Sequence, residues 1–468
     1  MFAPTTYRSR RRTLVAQERP ESGLVLLLGN QHTPRNYVDN PYPFQQDGTF
    51  LYYFGLDRPN LYGLIDLDMG TSTLYGEEAT LDDVVWAGEP PALQEEAAAV
   101  GVDTVNPPST LGSRLTQARQ QDRTVHILPP YRDEHRLRLG ELLNVPHAQL
   151  DDAISEPLIQ AVVQQRSVKS SEEVAEIETA LERTAQVHAC AQAHAVPGAS
   201  EQEIVGAMTG RLTAEGSAFS FTPTCSVRGE VLHNHSYPNT LTEGDLLLVD
   251  AGAVSPRRYA GDVTRVTPVA GTFASRQEAI YRAVLSAQAA AIEALAPDVP
   301  FVEIHKHAAR TLTEHLIDLG LMQGPAGEAV AAGAHALFFP HGLGHMMGLD
   351  VHDMESLGEE FVGYTNDQTR PEQFGLHALR LGRPLHPGFV VTVEPGCYFI
   401  PPLIKHWRAE QRHEQFINYE RVEDFLGFGG IRIEDDFLVT ADGARALGPD
   451  IPKAPEKVAA RAGSSPLS

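Results

Sequence analysis

The chain has 468 residues, more than one ordinary hydrophobic core accommodates, so its length predicts two or three domains. Its 61 acidic residues outnumber 37 Lys and Arg residues, and the formal net charge of -24 argues against nucleic acid or an anionic membrane surface as the main partner. Three cysteines without a CxxC spacing support neither a disulfide framework nor a thiolate zinc site, and they favour the reducing cytoplasm.

The first third of the chain alternates short apolar segments with helical or polar ones. Basic residues at positions 8–12 precede the apolar run 24–28, which is too short for a signal peptide and lacks its cleavage site. No run approaches the roughly 18 apolar residues that cross a bilayer. We therefore expect a basic amphipathic helix, a buried strand, and a second strand at residues 61–68 (LYGLIDLD). These elements predict a small α/β domain over residues 1–168.

The second domain is predicted to span residues 169–452. Its helices begin at Ser-x-x-Glu capping boxes, in which each side chain bonds the backbone N–H of the other residue. The three pairs are Ser170 with Glu173, Ser200 with Glu203, and Ser275 with Glu278. Residues 453–468 are rich in Ala, Ser, Pro and charge without periodicity, so we expect a flexible tail there. Mixed helices and strands in both domains indicate the α/β (α+β) fold class.

Four predicted strands of the second domain, at residues 245–253, 259–266, 388–396 and 430–439, each carry a carboxylate in the middle of an apolar stretch. These carboxylates are Asp250, Asp262, Glu394 and Glu434. Burying one ionised carboxylate without a partner costs several kcal/mol, so the four either lie on separate surfaces or converge on cations. Asp250 and Asp262 belong to what looks like a hairpin, which would bring their two carboxylates close together.

Three histidines stand within residues 339–353 (FPHGLGHMMGLDVHD), between several glycines. The spacing of His341 and His345 matches a zinc-binding HExxH helix, but the glutamate is missing and each glycine disfavours a helix by about 1 kcal/mol. A glycine-rich loop or strand end is therefore expected. One imidazole and four carboxylates would suit Mn²⁺, Co²⁺, Fe²⁺ or Zn²⁺, and their charge balance favours two ions that hold a bridging hydroxide.

Five motifs, in chain order, resemble the metal-ligand motifs of the pita-bread metallopeptidases, the family of methionine aminopeptidase, aminopeptidase P and prolidase. The motifs are VDAG (249–252), GDVTR (261–265), HGLGHMMGLDVHD (341–353), TVEPG (392–396) and GGIRIEDD (429–436). Residues 42–60 (YPFQQDGTFLYYFGLDRPN) resemble the N-terminal domain of creatinase and aminopeptidase P. The resemblance implies a catalytic pita-bread domain, a smaller creatinase-like N-terminal domain, and a homodimer.

The resemblance also implies the metal ligands and their number. Two divalent ions per chain are expected, with Mn²⁺ first and Co²⁺, Zn²⁺ and Fe²⁺ as alternatives. Their ligands correspond to Asp250, Asp262, His345, Glu394 and Glu434.

Further site residues follow from the same resemblance. Glu394, His352 and His341 match catalytic positions: Glu394 takes a proton, His352 contacts the oxyanion, and His341 lines the substrate pocket. His233 matches another active-site histidine, with His235 as a competitor for that role. Residues at two more positions, Arg432 and Arg380, are expected to support Glu434 and to bind substrate, respectively.

The size of the N-terminal domain and the VHD motif are typical of the proline-specific branch of the family. Residues 378–388 (ALRLGRPLHPG) resemble prolidases, in which the arginine at the position of Arg380 binds the free carboxylate of an Xaa-Pro dipeptide. We therefore expect an Xaa-Pro dipeptidase. The alternatives are an Xaa-Pro aminopeptidase acting on longer peptides, an organophosphate hydrolase, and a metal-free creatinase-like or binding protein.

Overall fold

The chain divides into two units in a computed structural model that describes residues 1–17, 20–365 and 367–464. The first unit comprises Met1–Ser167 together with Met354–Val362, and the second comprises Val168–Asp353 together with Gly363–Ser468. The sequence prediction placed residues 354–362 in the second domain, whereas the structure places them in the first unit. Nothing in the composition of this segment sets it apart from its neighbours.

The first unit is built on a five-stranded sheet in the order β4-β3-β2-β1-β5. Its strands are β1 (Leu24–Leu28), β2 (Tyr62–Asp66), β3 (Thr71–Tyr75), β4 (Thr104–Asn106) and β5 (Val125–His126). The antiparallel pairs β1·β2 and β2·β3 are flanked by parallel pairings of β5 with β1 and of β4 with β3. This mixed sheet confirms the predicted α/β character.

Helices precede, separate and follow these strands along the chain. They are α1 (Pro4–Val15), α2 (Gly48–Phe54), α3 (Leu81–Ala87), α4 (Leu93–Ala99), α5 (Leu111–Gln120), α6 (Asp133–Leu143) and α7 (Glu156–Ser167). The predicted basic helix is α1, and two of its arginines are buried. The guanidinium groups of Arg10 and Arg11 donate to the backbone oxygens of Tyr52 and Tyr53 at 3.0 and 2.6 Å. The basic residues of α1 therefore hold the domain together.

The second unit contains two three-stranded sheets, β6-β7-β8 and β13-β12-β9, and the pair β10-β11. Its strands are β6 (Thr224–Ser226), β7 (Leu246–Ala251), β8 (Val263–Pro268), β9 (Val390–Val393), β10 (Gly396–Tyr398), β11 (Gly430–Arg432), β12 (Asp435–Val439) and β13 (Ala444–Ala446). The strands β7 and β8 form the predicted hairpin, with Asp250 opposite Thr264 and Ala251 opposite Val263.

The remaining helices belong to the second unit, except for α13, which lies in the returning segment of the first. They are α8 (Ser171–Ala193), α9 (Glu201–Ala214), α10 (Ser275–Glu293), α11 (Phe301–Asp318), α12 (Ala326–Ala332), α13 (Glu359–Val362), α14 (Pro401–Ala409), α15 (Tyr419–Glu423) and α16 (Pro455–Ala459). None of the helices in the described ranges has the length and apolarity needed to cross a membrane.

Two of the three predicted capping boxes are present. Ser170 and Ser200 cap α8 and α9, and each exchanges hydrogen bonds with the glutamate three residues on. The third prediction is wrong, because α10 already includes Ser275. Its N-cap is Ala274, whose backbone N–H donates to the side chain of Gln277 at 2.8 Å.

The carboxylates are placed differently from the prediction, which put all four in the middle of strands. Only Asp250 lies within a strand, β7. Asp262 immediately precedes β8, Glu394 immediately follows β9, and Glu434 lies in the gap between β11 and β12. At the end of a strand the backbone no longer takes part in the hydrogen bonds between strands, so it is free to turn. The turn allows these side chains to approach one another.

The chain after Ile451 is partly ordered, although the sequence predicts a flexible tail from residue 453. Arg265 donates to the backbone oxygens of Ile451 and Glu434 at 2.8 and 2.7 Å. Lys453 forms an ion pair with Asp435 at 2.8 Å, and the helix α16 follows. Burial of an arginine that satisfies several backbone acceptors outweighs the low intrinsic order of this composition. Residues 465–468 of the predicted tail lie outside the described residues.

Candidate metal centre

All ten sequence-predicted site residues line one cavity of about 420 Å³ in the second unit. They are Asp250, Asp262, Glu394, Glu434, His233, His341, His345, His352, Arg380 and Arg432. The competing histidine, His235, lines the same cavity, as do the apolar side chains of Phe221, Leu232 and Val351. The cavity therefore combines a dense group of acids and imidazoles with an apolar wall.

The histidine loop is held against strand β9 by backbone contacts. The backbone N–H of His345 donates to the hydroxyl of Thr392, and the N–H of Thr392 donates to the carbonyl of His345, both at 3.1 Å. A Cβ on Gly344 would lie 2.1 Å from the carbonyl oxygen of Thr392. The N–H of Glu394 donates to the carbonyl of Leu343 at 2.8 Å. This glycine loop is consequently what brings His345 beside Glu394.

Three side chains offer ligand atoms to one point. Atoms of Asp262, His345 and Glu434 lie within 4.8 Å of one another. His345 Nδ1 donates to the carbonyl of Met346 at 3.0 Å, which leaves the Nε2 lone pair for the cavity. That nitrogen lies 3.5 Å from Asp262 Oδ2 and 3.8 Å from Glu394 Oε1. The sequence predicts four carboxylates with one imidazole, and the structure brings two of these carboxylates together with His345 and places Glu394 beside them.

Asp250 is, with Glu394, one of two predicted ligands outside this tight group. Its Oδ2 accepts from Arg432 Nη2 at 2.5 Å, and the same guanidinium donates to Thr264 Oγ1 at 3.1 Å and to Tyr398 OH at 2.9 Å. The Thr264 hydroxyl in turn donates to Glu434 Oε2 at 2.7 Å. Arg432 was expected to support Glu434 and reaches it through Thr264, while its direct partner is Asp250.

His341 is held by its own backbone and by Tyr398. Its Nδ1 donates to the carbonyl of Gly342 at 2.8 Å, and its Nε2 lies 2.9 Å from the Tyr398 hydroxyl. Nδ1 is also 3.8 Å from Glu394 Oε2. Burial, followed by the Arg432 guanidinium, lowers the pKa of His341 to about 3. This histidine is therefore a neutral wall of the cavity at physiological pH.

The other histidines complete the rim. The ring of His352 stacks on that of His345, with centroids 3.9 Å apart and planes inclined by 23°. The rings of His233 and His235 lie 6.5 Å apart. Burial, followed by the Arg432 guanidinium, lowers the pKa of His233. His352 is thus the imidazole that stacks on the candidate ligand His345.

The electrostatics of the acids points to a missing positive charge. Burial raises the pKa of Asp262 and Glu434 well above the ordinary values, and the carboxylates around them raise both further. Burial also raises the pKa of Glu394 to about 8, and it lowers the pKa of His345 far below its usual range. Only a cation among these groups makes several ionised carboxylates stable together.

Comparison with known proteins agrees with this geometry. Residues 175–441 match metallopeptidase family M24, and residues 7–127 match the aminopeptidase P N-terminal domain. The chain is 30% identical to human Xaa-Pro dipeptidase over 437 residues, covering 91% of this chain and 85% of that protein.

The chain belongs to metallopeptidase family M24.

Two further relatives extend the comparison of this M24 peptidase. It is 32% identical over 434 residues to a probable Xaa-Pro aminopeptidase of Fusarium vanettenii, covering 91% of this chain and 88% of that protein. The structure of proline aminopeptidase P II from Yersinia pestis is similar, with a TM-score of 0.80, 26% identity, and coverage of 98% and 99% of the two chains. The expected pita-bread catalytic domain and aminopeptidase P-type N-terminal domain are thereby confirmed.

The residues of this M24 site fit divalent cations. Asp262 Oδ1 is buried and has no hydrogen-bond partner among the described residues, an arrangement that is costly for a carboxylate oxygen unless a cation takes it up. Carboxylate oxygens with one imidazole suit manganese, cobalt, iron or zinc. The donor set, its burial and its orphaned oxygen all agree with the metal dependence of the family.

Sequence reasoning missed three residues that orient the M24 ligands: Thr264, Thr392 and Tyr398. A signal for two of them exists. Thr264 stands two residues after Asp262, and Thr392 two residues before Glu394, so in an extended chain each shares a face with its carboxylate. Tyr398 lies on the next strand, β10, where no spacing rule connects it to the site.

Proposed function

We propose that this chain is a metal-dependent dipeptidase that hydrolyses the Xaa-Pro bond. The observation that carries the proposal is the place of Arg380, which lines the same cavity as Glu394 and His352. A guanidinium group binds a carboxylate through two parallel hydrogen bonds and thus suits the free carboxylate of a dipeptide. The identity with human Xaa-Pro dipeptidase supports the same substrate class.

Asp250, Asp262, His345, Glu394 and Glu434 would hold two divalent ions, with Mn²⁺ the first choice and Co²⁺, Zn²⁺ and Fe²⁺ the alternatives. When bound, such ions acidify water and polarise a carbonyl oxygen. Arg432 keeps Asp250 in place through their ion pair, and the Thr264 hydroxyl keeps Glu434 in place through its hydrogen bond.

Proton transfer, stabilisation of the oxyanion and binding of the substrate are assigned to different side chains of the cavity. Glu394 accepts a proton from the attacking water and delivers it to the proline nitrogen as the C–N bond breaks. His352 donates a hydrogen bond to the oxygen that gains negative charge. Arg380 fixes the carboxylate end of the substrate, and neutral His341 forms a wall for the proline ring. His233, which lines the same cavity, also contacts the substrate.

An Xaa-Pro aminopeptidase acting on longer peptides is the second candidate. It is favoured by the Fusarium relative, which is named a probable Xaa-Pro aminopeptidase, and by the Yersinia structure, which is named a proline aminopeptidase. The two activities use the same chemistry and differ in whether the cavity requires a carboxylate directly after proline.

Ala-Pro and Ala-Pro-Ala, assayed with the Mn²⁺-loaded protein, separate the two candidates. We expect efficient release of alanine from the dipeptide and slow release from the tripeptide. Arg380→Met should raise KM for Ala-Pro by about 10- to 100-fold, because it removes a charged hydrogen-bond donor worth roughly 1.5–3 kcal/mol. Arg383→Met is the matched control, since Arg383 stacks on Phe389 and does not line the cavity. Equal efficiency on the tripeptide contradicts the dipeptidase assignment.

The homodimer and the cytoplasmic location stay predictions within this proposal. Helix α3 of the first unit presents three large apolar side chains to solvent, with Leu81, Val85 and Trp86 81%, 69% and 83% exposed. Exposed apolar groups of this size are typical of surfaces that contact another protein. This helix is accordingly our candidate for a surface covered in the dimer.

A further inference from the structure

A fully buried ion pair lies next to the histidine loop. Lys169 Nζ is 2.9 Å from Asp353 Oδ2, and the two side chains are only 1% and 2% exposed. Neither residue lines the cavity, and neither belongs to the set of residues assigned above. Taking two charges out of water is costly, so an ion pair this deep needs a reason beyond stability.

The aspartate of this pair closes the loop that carries the histidines. The backbone N–H of Asp353 donates to the carbonyl of Met346 at 2.9 Å, and its Oδ1 accepts from the N–H of Asp350 at 3.4 Å. A Cβ on Gly348 would lie 2.5 Å from Asp353 Oδ2, so the loop is folded directly over the carboxylate. Residues 346–353 thus form a closed loop with the carboxylate at its centre.

The lysine connects that loop to the strand leading to Glu394. The backbone N–H of Lys169 donates to the carbonyl of Gly388 at 2.8 Å, two residues before β9 begins. Its side chain reaches Asp353, whose neighbour His352 stacks on the candidate ligand His345. One residue therefore ties the start of β9 to the loop end from which His352 projects.

The geometry points to a positioning role for the Lys169–Asp353 ion pair, which we propose holds His352 over the metal centre. The inference rests on the function proposed for His352. The following residue, Met354, is a buried non-glycine residue with φ of 64°, and from there the chain leaves the second unit. The ion pair fixes the position of Asp353 and so holds the neighbouring His352 in place although the chain turns at the next residue.

The test replaces both charges by apolar groups. In Lys169→Met/Asp353→Leu the apolar pair can preserve folding, whereas either single change leaves one buried charge unpaired. We expect kcat for Ala-Pro to fall by about 10- to 100-fold, with KM nearly unchanged, because a small misplacement of a reacting group has this effect. In a His352→Gln background the same double change should alter kcat by less than about twofold, since the group that it misplaces is gone.

A structural readout separates this inference from the function proposed for His352. The protein is labelled with ¹³C in its histidine rings and loaded with diamagnetic Zn²⁺, and the His352 signal is identified by its loss in His352→Gln. We expect Lys169→Met/Asp353→Leu to shift that signal. Arg257→Met/Glu176→Leu is the matched control, because it replaces another ion pair of the same unit by apolar groups outside the cavity lining. The control should leave the signal in place.

The outcomes are distinct. An unchanged His352 signal, or an equal loss of kcat in the wild-type and His352→Gln backgrounds, overturns the positioning role. A fully active His352→Gln enzyme removes His352 from the proposed function, and the ring signal alone then decides whether the ion pair positions it. A shifted signal together with a loss of kcat confined to the His352 background supports the inference.

Discussion

At the scale of single residues, Tyr398 determines the protonation of its neighbours. Arg432 can only donate, so the Tyr398 hydroxyl accepts from it and turns its own proton towards His341 Nε2. His341 Nδ1 donates to the carbonyl of Gly342, which leaves one neutral tautomer for the ring. A neutral ring presents no charge to the apolar proline side chain. An uncharged His341 ring also forms no ion pair with the carboxylates of the cavity, so these can bind metal and substrate.

Glu394 is the residue whose replacement tests the chemistry most directly. We expect Glu394→Gln to lower kcat by about 100-fold or more, because an amide cannot take up the proton of the attacking water. Bound metal, measured by elemental analysis, should also decrease, since one anionic ligand is lost. Glu410→Gln, on the exposed end of α14, is the control and should match wild type. A fully active Glu394→Gln enzyme would disprove its assigned role.

The identities of the site residues were predictable, but part of their arrangement was not. The ten residues carry recognisable motifs, and the cavity contains all of them. The direct contact of Arg432 with Asp250, in place of Glu434, depends on side-chain angles that no spacing encodes. Thr264 was visible in its motif yet lacks the charge that drew attention to its neighbours. Polar residues that orient ligands are therefore harder to recognise from sequence than the ligands themselves.

At the scale of secondary-structure elements, most of the candidate metal ligands lie where strands end. The apolar runs predicted the strands correctly, because alternation and β-branched residues identify them. Their exact limits were not predictable, since the gap between β11 and β12 falls at Ile433 and Glu434, inside one continuous apolar pattern. The same holds for α10, where an alanine is the N-cap and the side chain of a downstream glutamine accepts from its backbone N–H. Tertiary contacts decide such limits, and they are invisible in local sequence.

The contact between the histidine loop and β9 gives a prediction for Gly344. A methyl group there would lie 2.1 Å from the carbonyl oxygen of Thr392, so Gly344→Ala must push the loop away from the strand. We expect the free energy of unfolding to fall by about 1–3 kcal/mol and metal affinity to decrease. Both quantities are measured by denaturant titration and metal titration.

Gly206→Ala supplies the matched control for this substitution. Gly206 lies in α9 with nothing within 4 Å of an added Cβ, so the change should stabilise the helix by about 0.5–1 kcal/mol. If Gly344→Ala retained wild-type stability and metal binding, the loop would not depend on its close approach to β9.

At the scale of the whole molecule, several histidines are buried without charge. Burial lowers the pKa of both His188 and His335 to about 4, and it lowers that of His305 well below the usual value. Both ring nitrogens of His335 are buried without a hydrogen-bond partner in the described part of the chain. Such buried rings resist protonation in the folded state. Acid is therefore expected to lower the free energy of unfolding of the whole molecule.

This burial predicts acid destabilisation with a definite sign. Between pH 6.5 and about 4, unfolded chains protonate His335 and folded chains do not, so the free energy of unfolding decreases as pH falls. The contribution is about 3 kcal/mol at most. His335→Phe should remove it, so the stability difference between variant and wild type should shift in favour of the variant from pH 7 to pH 4.5. Both proteins contain the same carboxylates at the candidate metal centre, so the titration of these carboxylates contributes equally to both and drops out of the difference.

His307→Phe is the control for the acid experiment. His307 lies on the exposed face of α11, so this variant makes the same histidine-to-phenylalanine change without removing a buried imidazole. If the stability difference between His335→Phe and wild type were the same at pH 7 and pH 4.5, His335 would have to titrate normally in the folded state.

The attachment of the C-terminal segment has a consequence for how the molecule is made. Glu434 lies beyond β11, and Arg265, which donates to its carbonyl, completes its hydrogen bonds with the carbonyls of Ile451 and Pro452. Domains generally fold in order of synthesis, the N-terminal one first. The hairpin with Asp250 and Asp262 is thus translated long before the residues that complete the metal centre. A nascent chain on the ribosome therefore lacks a finished site until residues as far along as Ile451 have been translated.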